Sequence, residues 1–129
     1  ELKVVETIAE NTYKNLFHTL PIDTNQNNDI ILCFDGDDII GRIDLMYETS
    51  YIDFSKVGYI DWIYVRKAYR NQGIGKKLLL EAEKRFKKAN CFKYYLFVAD
   101  NEQAKAFYKT SGLDIKTMKT AQKNFNKGN

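Results

Sequence analysis

From Val57 to Ala99 the hydrophobic period of this 129-residue chain changes twice, and no other stretch constrains the fold as tightly. "VGYIDWIYV", Val57 to Val65, is rich in β-branched and aromatic residues and reads as a strand. From Ile74 to about Lys88 the repeat lengthens: Leu78, Leu79, Ala82, Phe86 and Ala89 recur at three- and four-residue spacings. Lys76, Lys77, Glu81, Glu83, Lys84, Arg85 and Lys87 fall mostly on other faces, the pattern of an amphipathic helix. "FKYYLFVA", Phe92 to Ala99, returns to a strand, and "NEQAKAFYKTSG" reads as a short helix closed around Gly112. Strand, helix, strand demands a crossover, so the two strands are expected to be parallel and their connection right-handed.

Upstream, Leu2 to Val5 is a short strand and Ile8 to Leu20 a helix, with Ile8, Tyr13, Leu16, Phe17 and Leu20 near one face and Pro21 as its stop. "DTNQNND", Asp23 to Asp29, is a loop by composition. "IILCF", "DGDD" and "IIGRIDLMY" form a hairpin around an Asp-Gly turn, and "ETSYIDFSK" is an irregular connection. The expected fold is α/β (α+β in some schemes): one mixed central sheet with helices on both faces, in a single domain over 1–129. No apolar run reaches the roughly 18 residues of a membrane helix, and the first residues lack a basic region followed by an apolar one. Cys33 and Cys91 sit in or beside apolar runs, which predicts buried free thiols in a reducing, cytoplasmic setting and no metal site. His18 reads as a surface or core residue.

Charge is divided along the chain: residues 1–65 hold 12 acidic and 4 basic groups, residues 66–129 hold 5 acidic and 16 basic groups. Such separation lets one small domain attract a cationic and an anionic ligand together. Between the strand and the basic helix lies "RKAYRNQGIG", Arg66 to Gly75. Gly73 and Gly75 let backbone N–H groups approach an anion where the free donors and dipole of a helix start already favour negative charge. Arg70, Lys76 and Lys77 add charge, so a pyrophosphate-bearing ligand suits the loop. "GIG" lacks the third glycine of the dinucleotide fingerprint, and no Gly-Lys-Ser/Thr follows as a P-loop requires.

"VRKAYRNQGIGKKLL" resembles the coenzyme A pyrophosphate motif of the GCN5-related N-acetyltransferase (GNAT) superfamily, through Arg70, Gly73 and Gly75. "NEQAKAFYKTSGL" resembles that family's closing motif through Asn101, Ala104, Phe107, Tyr108 and Gly112. The resemblance implies acetyl-coenzyme A as cosubstrate. Its pyrophosphate would lie on the amides near Gln72 to Gly75, with Asn71, Ile74 and Lys76 in the same turn. Its pantetheine arm would pair with the strand at Ile63, Tyr64 and Val65, which family members splay from the next strand. Asn101 would touch the coenzyme, and Tyr108 would protonate the departing thiolate; on the residues alone, Asn101 is equally a helix cap and Tyr108 equally a packing residue.

The implied reaction is direct attack of a primary amine on the thioester in a ternary complex, with no nucleophilic cysteine. Strict alternation places Tyr59, Asp61, Ile63 and Val65 on one strand face and Ile60, Trp62 and Tyr64 on the other. Asp61, or Tyr59, is then the candidate base for the amine proton. The acceptor is a small cationic amine or a peptide or protein amine, drawn by the acidic first half. Departures from the family pattern are Lys67 where a Pro is common, Asp61 in place of Glu, and a shortened C-terminal strand region. Only 17 residues follow Gly112, of which Leu113 to Met118 make one strand: either the acceptor wall is open, or a partner subunit completes it, or the sequence is a truncated form, and self-association that shields the end strand is the expectation carried forward. Two rival readings are a coenzyme A-binding sensor or scaffold without catalysis, and a nucleic-acid binder. The second is disfavoured because the basic residues lie largely on the solvent side of an amphipathic helix.

Overall fold

The computed structural model describes residues 2–5, 27–49 and 53–126. The helix expected over Ile8 to Leu20, with His18, lies outside the described residues. The chain divides into two compact units, Glu1–Leu96 and Phe97–Asn129.

The first unit is a mixed sheet of five strands whose spatial order follows the sequence: β1 (Leu2–Val5), β2 (Asn28–Asp35), β3 (Asp38–Thr49), β4 (Lys56–Val65) and β5 (Lys93–Tyr95). The first four pair antiparallel, and β5 joins β4 in parallel after the crossover helix α1 (Ile74–Lys88). The hairpin turns where the Asp-Gly signal lies: Asp35 pairs with Asp38, and Gly36 adopts φ 61°, the positive value a primed two-residue turn needs.

Helix α1 covers one face of this sheet because its apolar stripe has the helical period. Ile74, Leu78, Leu79, Ala82 and Phe86 are buried, as are Ile31, Cys33, Ile43, Leu45 and Ile60 of the strands. Each Ile, Leu or Phe side chain withdrawn from water contributes about 1.5–3 kcal/mol before entropy is counted. Two glycines set the closeness of approach. A Cβ on Gly41 would stand 3.2 Å from Leu78 Cδ1 and 3.3 Å from Ile74 Cγ2, and one on Gly58 would stand 2.3 Å from Phe86 Cδ1. The Phe86 ring, lying over Gly58, meets Tyr47 edge-on at 5.6 Å and stacks on Tyr94 at 5.3 Å. The helix closes in a Schellman motif with Asn90 at φ 65°: Cys91 N–H donates to Phe86 O and Asn90 N–H to Lys87 O.

Strict alternation along β4 does not hold. Asp44 faces Trp62, but the next residue, Leu45, faces Ile60, so Asp61 is an extra residue, a β-bulge. The bulge reverses the parity after it. Gly58, Ile60, Ile63 and Val65 lie on the α1 side, opposite Tyr47, Leu45, Ile43 and Gly41, while Tyr59, Trp62 and Tyr64 lie on the other. The strand expected over Phe92 to Ala99 also shortens to Lys93–Tyr95. Its last pair, Tyr59 with Tyr95, directly precedes the bulge, and a bulged strand bends and twists away from a straight neighbour.

The second unit holds α2 (Glu102–Thr110). Asn101 caps it, its Oδ1 accepting the Ala104 N–H at 2.7 Å. Gly112 at φ 89° ends it, with Leu113 N–H on Tyr108 O and Gly112 N–H on Lys109 O. Leu113 to Met118 is not a strand. Leu113 is consumed in the helix closure, Ile115 and Met118 are exposed, and no strand occurs over 113–126.

Because Phe86 is hemmed in by Tyr47, Tyr94 and the strand, it has no room to yield to a methyl group. Gly58→Ala is expected to destabilise the fold by about 1–3 kcal/mol. Urea unfolding would show this as a lower midpoint with an unchanged slope.

Candidate active site

The loop between β4 and α1 is built from left-handed turns. After a single 3-10 turn (Lys67–Tyr69), Asn71 adopts φ 63° and Gly73 φ 81°. Asparagine tolerates this conformation and glycine takes it without strain, and such alternation aims successive amides at one concavity. Gly73 occupies the N-cap position of α1, so no side chain caps the helix, and its first turn holds no acidic residue. Among the described residues, none of the amides from Asn71 to Lys76 donates to a protein carbonyl; the first that does is Lys77, to Gly73 O at 3.0 Å. Gln72, Gly73, Ile74, Gly75 and Lys76 therefore hold backbone donors not used by protein carbonyls at the positive end of a 15-residue helix, although Ile74 itself is buried.

Arg70 has a second task. Its Nε donates to Val65 O at 2.8 Å, and its guanidinium lies 5.6 Å from the centre of the Tyr64 ring. That carbonyl identifies the free edge of β4. Arg66 N–H is turned toward β3, where it bonds Ile40 O at 2.8 Å, so by alternation the N–H and C=O groups of Ile63 and Val65 point away from β3. No strand pairs with that edge beyond Tyr59 among the described residues. Ile63 and Val65 thus offer backbone groups to an extended ligand, whereas the backbone of Tyr64 faces β3.

The sheet face away from α1 carries side chains that sequence reading alone did not assemble. Arg42 and Asp44 form a bidentate pair, with 2.6 Å from Nε to Oδ1 and 2.6 Å from Nη2 to Oδ2. The Arg42 guanidinium lies 5.2 Å from the Trp62 ring centre, and Trp62 stacks on Tyr64 at 5.5 Å. Beside them Tyr59 meets Tyr95 at 4.9 Å, and the Tyr95 hydroxyl donates to Glu48 Oε1 at 2.8 Å. Asp61 is exposed at the bulge next to this group. Burial, then the Asp61 and Glu48 charges, raise the Tyr59 hydroxyl above its ordinary range, which keeps it protonated at neutral pH. Glu48 is one of the carboxylates of the acidic first half, but its pairing with Tyr95, 47 residues away, is not legible in the sequence. Only the β3–β4–β5 register brings them together.

The remaining candidates, Asn101 and Tyr108, lie in the second unit. Asn101 is the α2 cap, and Tyr108 is the one buried residue of that helix, its hydroxyl raised by burial alone. Neither thiol is set up as a nucleophile: burial raises both Cys33 and Cys91.

The family model described as "Acetyltransferase (GNAT) family" matches residues 3–113. The chain belongs to this family. Solved structures agree on the fold. A transcriptional regulator from Bacillus halodurans C-125 superposes with a TM-score of 0.79 at 20% identity, over 97% of this chain and 100% of its own. An aminoglycoside acetyltransferase from an uncultured soil metagenomic sample gives 0.79 at 17%, over 98% and 97%. Glucosamine-6-phosphate N-acetyltransferase from Arabidopsis thaliana gives 0.74 at 17%, over 95% and 98%. The GNAT fold read from the loop and closing motifs is thus the fold of this chain, and no helix of the described residues is long and apolar enough to cross a membrane.

Tyr95 provides a test of the face opposite α1. Its hydroxyl is pushed up to about 12, first by burial and then by the bond to Glu48. The folded state favours the neutral phenol, so this contribution is intact below the ordinary phenol value of about 10 and is lost as pH rises from there toward about 12. Glu48→Gln removes the charge and is expected to move the Tyr95 midpoint downward. Ring-carbon NMR of labelled tyrosine reads this directly, and an unchanged midpoint would separate the two residues.

Proposed function

We propose that this GNAT protein is an N-acetyltransferase that moves acetyl from acetyl-coenzyme A to a primary amine by direct attack within a ternary complex. The observation that carries this reading is the uncapped, acid-free start of α1, preceded by left-handed Asn71 and Gly73 and set beside the edge of β4 that is unpaired beyond Tyr59 among the described residues. The donors of residues 72–76 suit a pyrophosphate, and the outward N–H and C=O of Ile63 with the N–H of Val65, whose carbonyl is held by Arg70, suit the amides of a pantetheine arm. The residues present therefore fit the cosubstrate that the family implies.

In the proposed reaction the amine nitrogen attacks the thioester carbonyl and forms the C–N bond. The tetrahedral oxyanion collapses, the C–S bond breaks and the thiolate departs. Holding both substrates together supplies much of the acceleration. Asp61, exposed at the bulge where β4 loses its partner, accepts the proton of the amine. Tyr59, held protonated, serves as a relay rather than as the resident base. The family resemblance alone gives Tyr108 the role of supplying the proton that the thiolate needs.

The acceptor is assigned to the cationic amines. Asp61 and Glu48 lie on a wall with the ring faces of Tyr59, Tyr95, Trp62 and Tyr64, and carboxylates with aromatic faces favour an ammonium group. Two of the structural relatives are named for amino-sugar acetylation and one as a transcriptional regulator, so fold alone does not choose the acceptor.

Calorimetric titration with acetyl-coenzyme A should show saturable one-site binding, abolished in a folded Gly73→Glu, Gly75→Glu variant whose carboxylates fill the anion cradle. A folded parent that takes up no acetyl-coenzyme A would overturn the reading. With an acceptor drawn from a panel of polyamines, amino sugars and amino acids and monitored by thiol release, Asp61→Asn should lower kcat by about 100-fold or more while leaving cosubstrate affinity intact. Full activity in that variant would remove Asp61 from the mechanism.

A further inference from the structure

We propose that Tyr69 and Asp35 are positioning residues for the anion-binding loop, tying its first turn to the tip of the β2–β3 hairpin. This rests on the acetyl-coenzyme A reading above. The Tyr69 hydroxyl donates to Asp35 Oδ2 at 2.7 Å across 34 residues of sequence. Tyr69 is the last residue of the 3-10 turn, directly before Arg70, and Asp35 is the last residue of β2.

The other restraints on the loop converge on the same strands. Arg66 N–H holds Ile40 O at the bulge in β3, and Arg70 Nε holds Val65 O at the end of β4. On the far side of the loop, Ile74 and Leu78 of α1 pack over Gly41, one residue after Ile40. Adjacent residues of β3, Ile40 and Gly41, thus meet the chain before and after the loop. Between Arg66 and Arg70, the Tyr69–Asp35 bond is the one side-chain tie of the 3-10 turn to the sheet among the described residues. Losing it frees the turn that sets the direction of the Asn71–Gly75 amides, and amides that must be reordered on binding cost affinity.

Electrostatics gives this proposal a distinctive sign. Asp35, Asp37 and Asp38 surround the hairpin turn, and a carboxylate near a bound pyrophosphate opposes it. If Asp35 acted only through its charge, removing it would tighten binding. Acting as the acceptor for Tyr69, it must instead weaken binding when removed, unless a neutral acceptor takes its place.

The test is the affinity of the full chain for acetyl-coenzyme A by calorimetry, with thermal unfolding of each unliganded variant alongside. Tyr69→Phe is expected to raise Kd about five- to tenfold, the cost of ordering a turn that the bond otherwise holds in place before binding. Asp35→Ala should raise it similarly, whereas Asp35→Asn, which keeps an acceptor and drops the charge, should match or exceed parental affinity. The Tyr69→Phe, Asp35→Ala double variant should be no weaker than the weaker single variant, since both delete one bond. Binding by Tyr69→Phe within twofold of the parent, additive single effects, or tighter binding by Asp35→Ala each overturns the proposal while leaving the acetyltransferase reading intact. A parent that does not bind acetyl-coenzyme A overturns both.

Discussion

The close seating of α1 on β3 and β4 is the constraint on which the rest of the first unit depends. It exists because Gly41 and Gly58 leave the sheet without side chains under Leu78, Ile74 and Phe86. With larger residues at these positions the helix would ride away from the sheet, and its first turn would no longer lie beside the end of β4. The glycines of the loop then have a different role from those of the strands. Gly73 supplies a backbone conformation, whereas Gly41 and Gly58 supply distance. Both kinds are needed to put an uncapped helix start next to an unpaired strand edge.

The second determinant is the extra residue in β4. Asp61 interrupts the ladder directly after the last pair with β5, so one local insertion bends the strand, opens its edge and projects a carboxylate at the point of opening. It also turns Trp62 and Tyr64 to the side of Arg42 and Asp44. A regular β4 would have sent those rings toward α1, where Ile63 and Val65 now lie. The site is therefore not a pocket carved into a finished sheet. It is the consequence of a strand that stops being regular.

The elements with strong local signals were legible in the sequence. Helix α1 was found to the residue at its start, because Gly73, Ile74 and the Leu78–Phe86 stripe all speak with one period, and the hairpin was found from Asp-Gly between β-branched runs. The left-handed turn at Gly73 and the helix start without a side-chain cap were signalled by the same glycines. What local pattern does not carry is register. The Asp61 bulge is visible only when β4 is laid against β3, and the pairs Tyr95 with Glu48 and Tyr69 with Asp35 join residues 47 and 34 positions apart. For the same reason the apolar run Phe92 to Ala99 overstates β5. Its residues favour a strand, but a strand lasts only as long as its neighbour stays straight. Leu113 to Met118 pairs with no strand among the described residues, and Ile115 and Met118 are exposed.

The division of charge along the chain acquires a spatial meaning in the first unit. Glu48 and Asp61 come from β3 and β4 and lie on or beside the sheet face away from α1, while Lys76 and Lys77 accompany the free amides at the helix start. In the proposed reaction the two regions serve different groups: the amine loses its proton near the carboxylates, while the pyrophosphate, whose charge does not change, is held at the helix start. Arg42 does not disturb this arrangement, because Asp44 neutralises it through two short bonds and Trp62 covers it. A buried guanidinium without that partner would repel the ammonium group that the neighbouring carboxylates attract. The Arg42–Asp44 pair thus allows a rigid, planar support under Trp62 while leaving the field of the acceptor wall to Glu48 and Asp61.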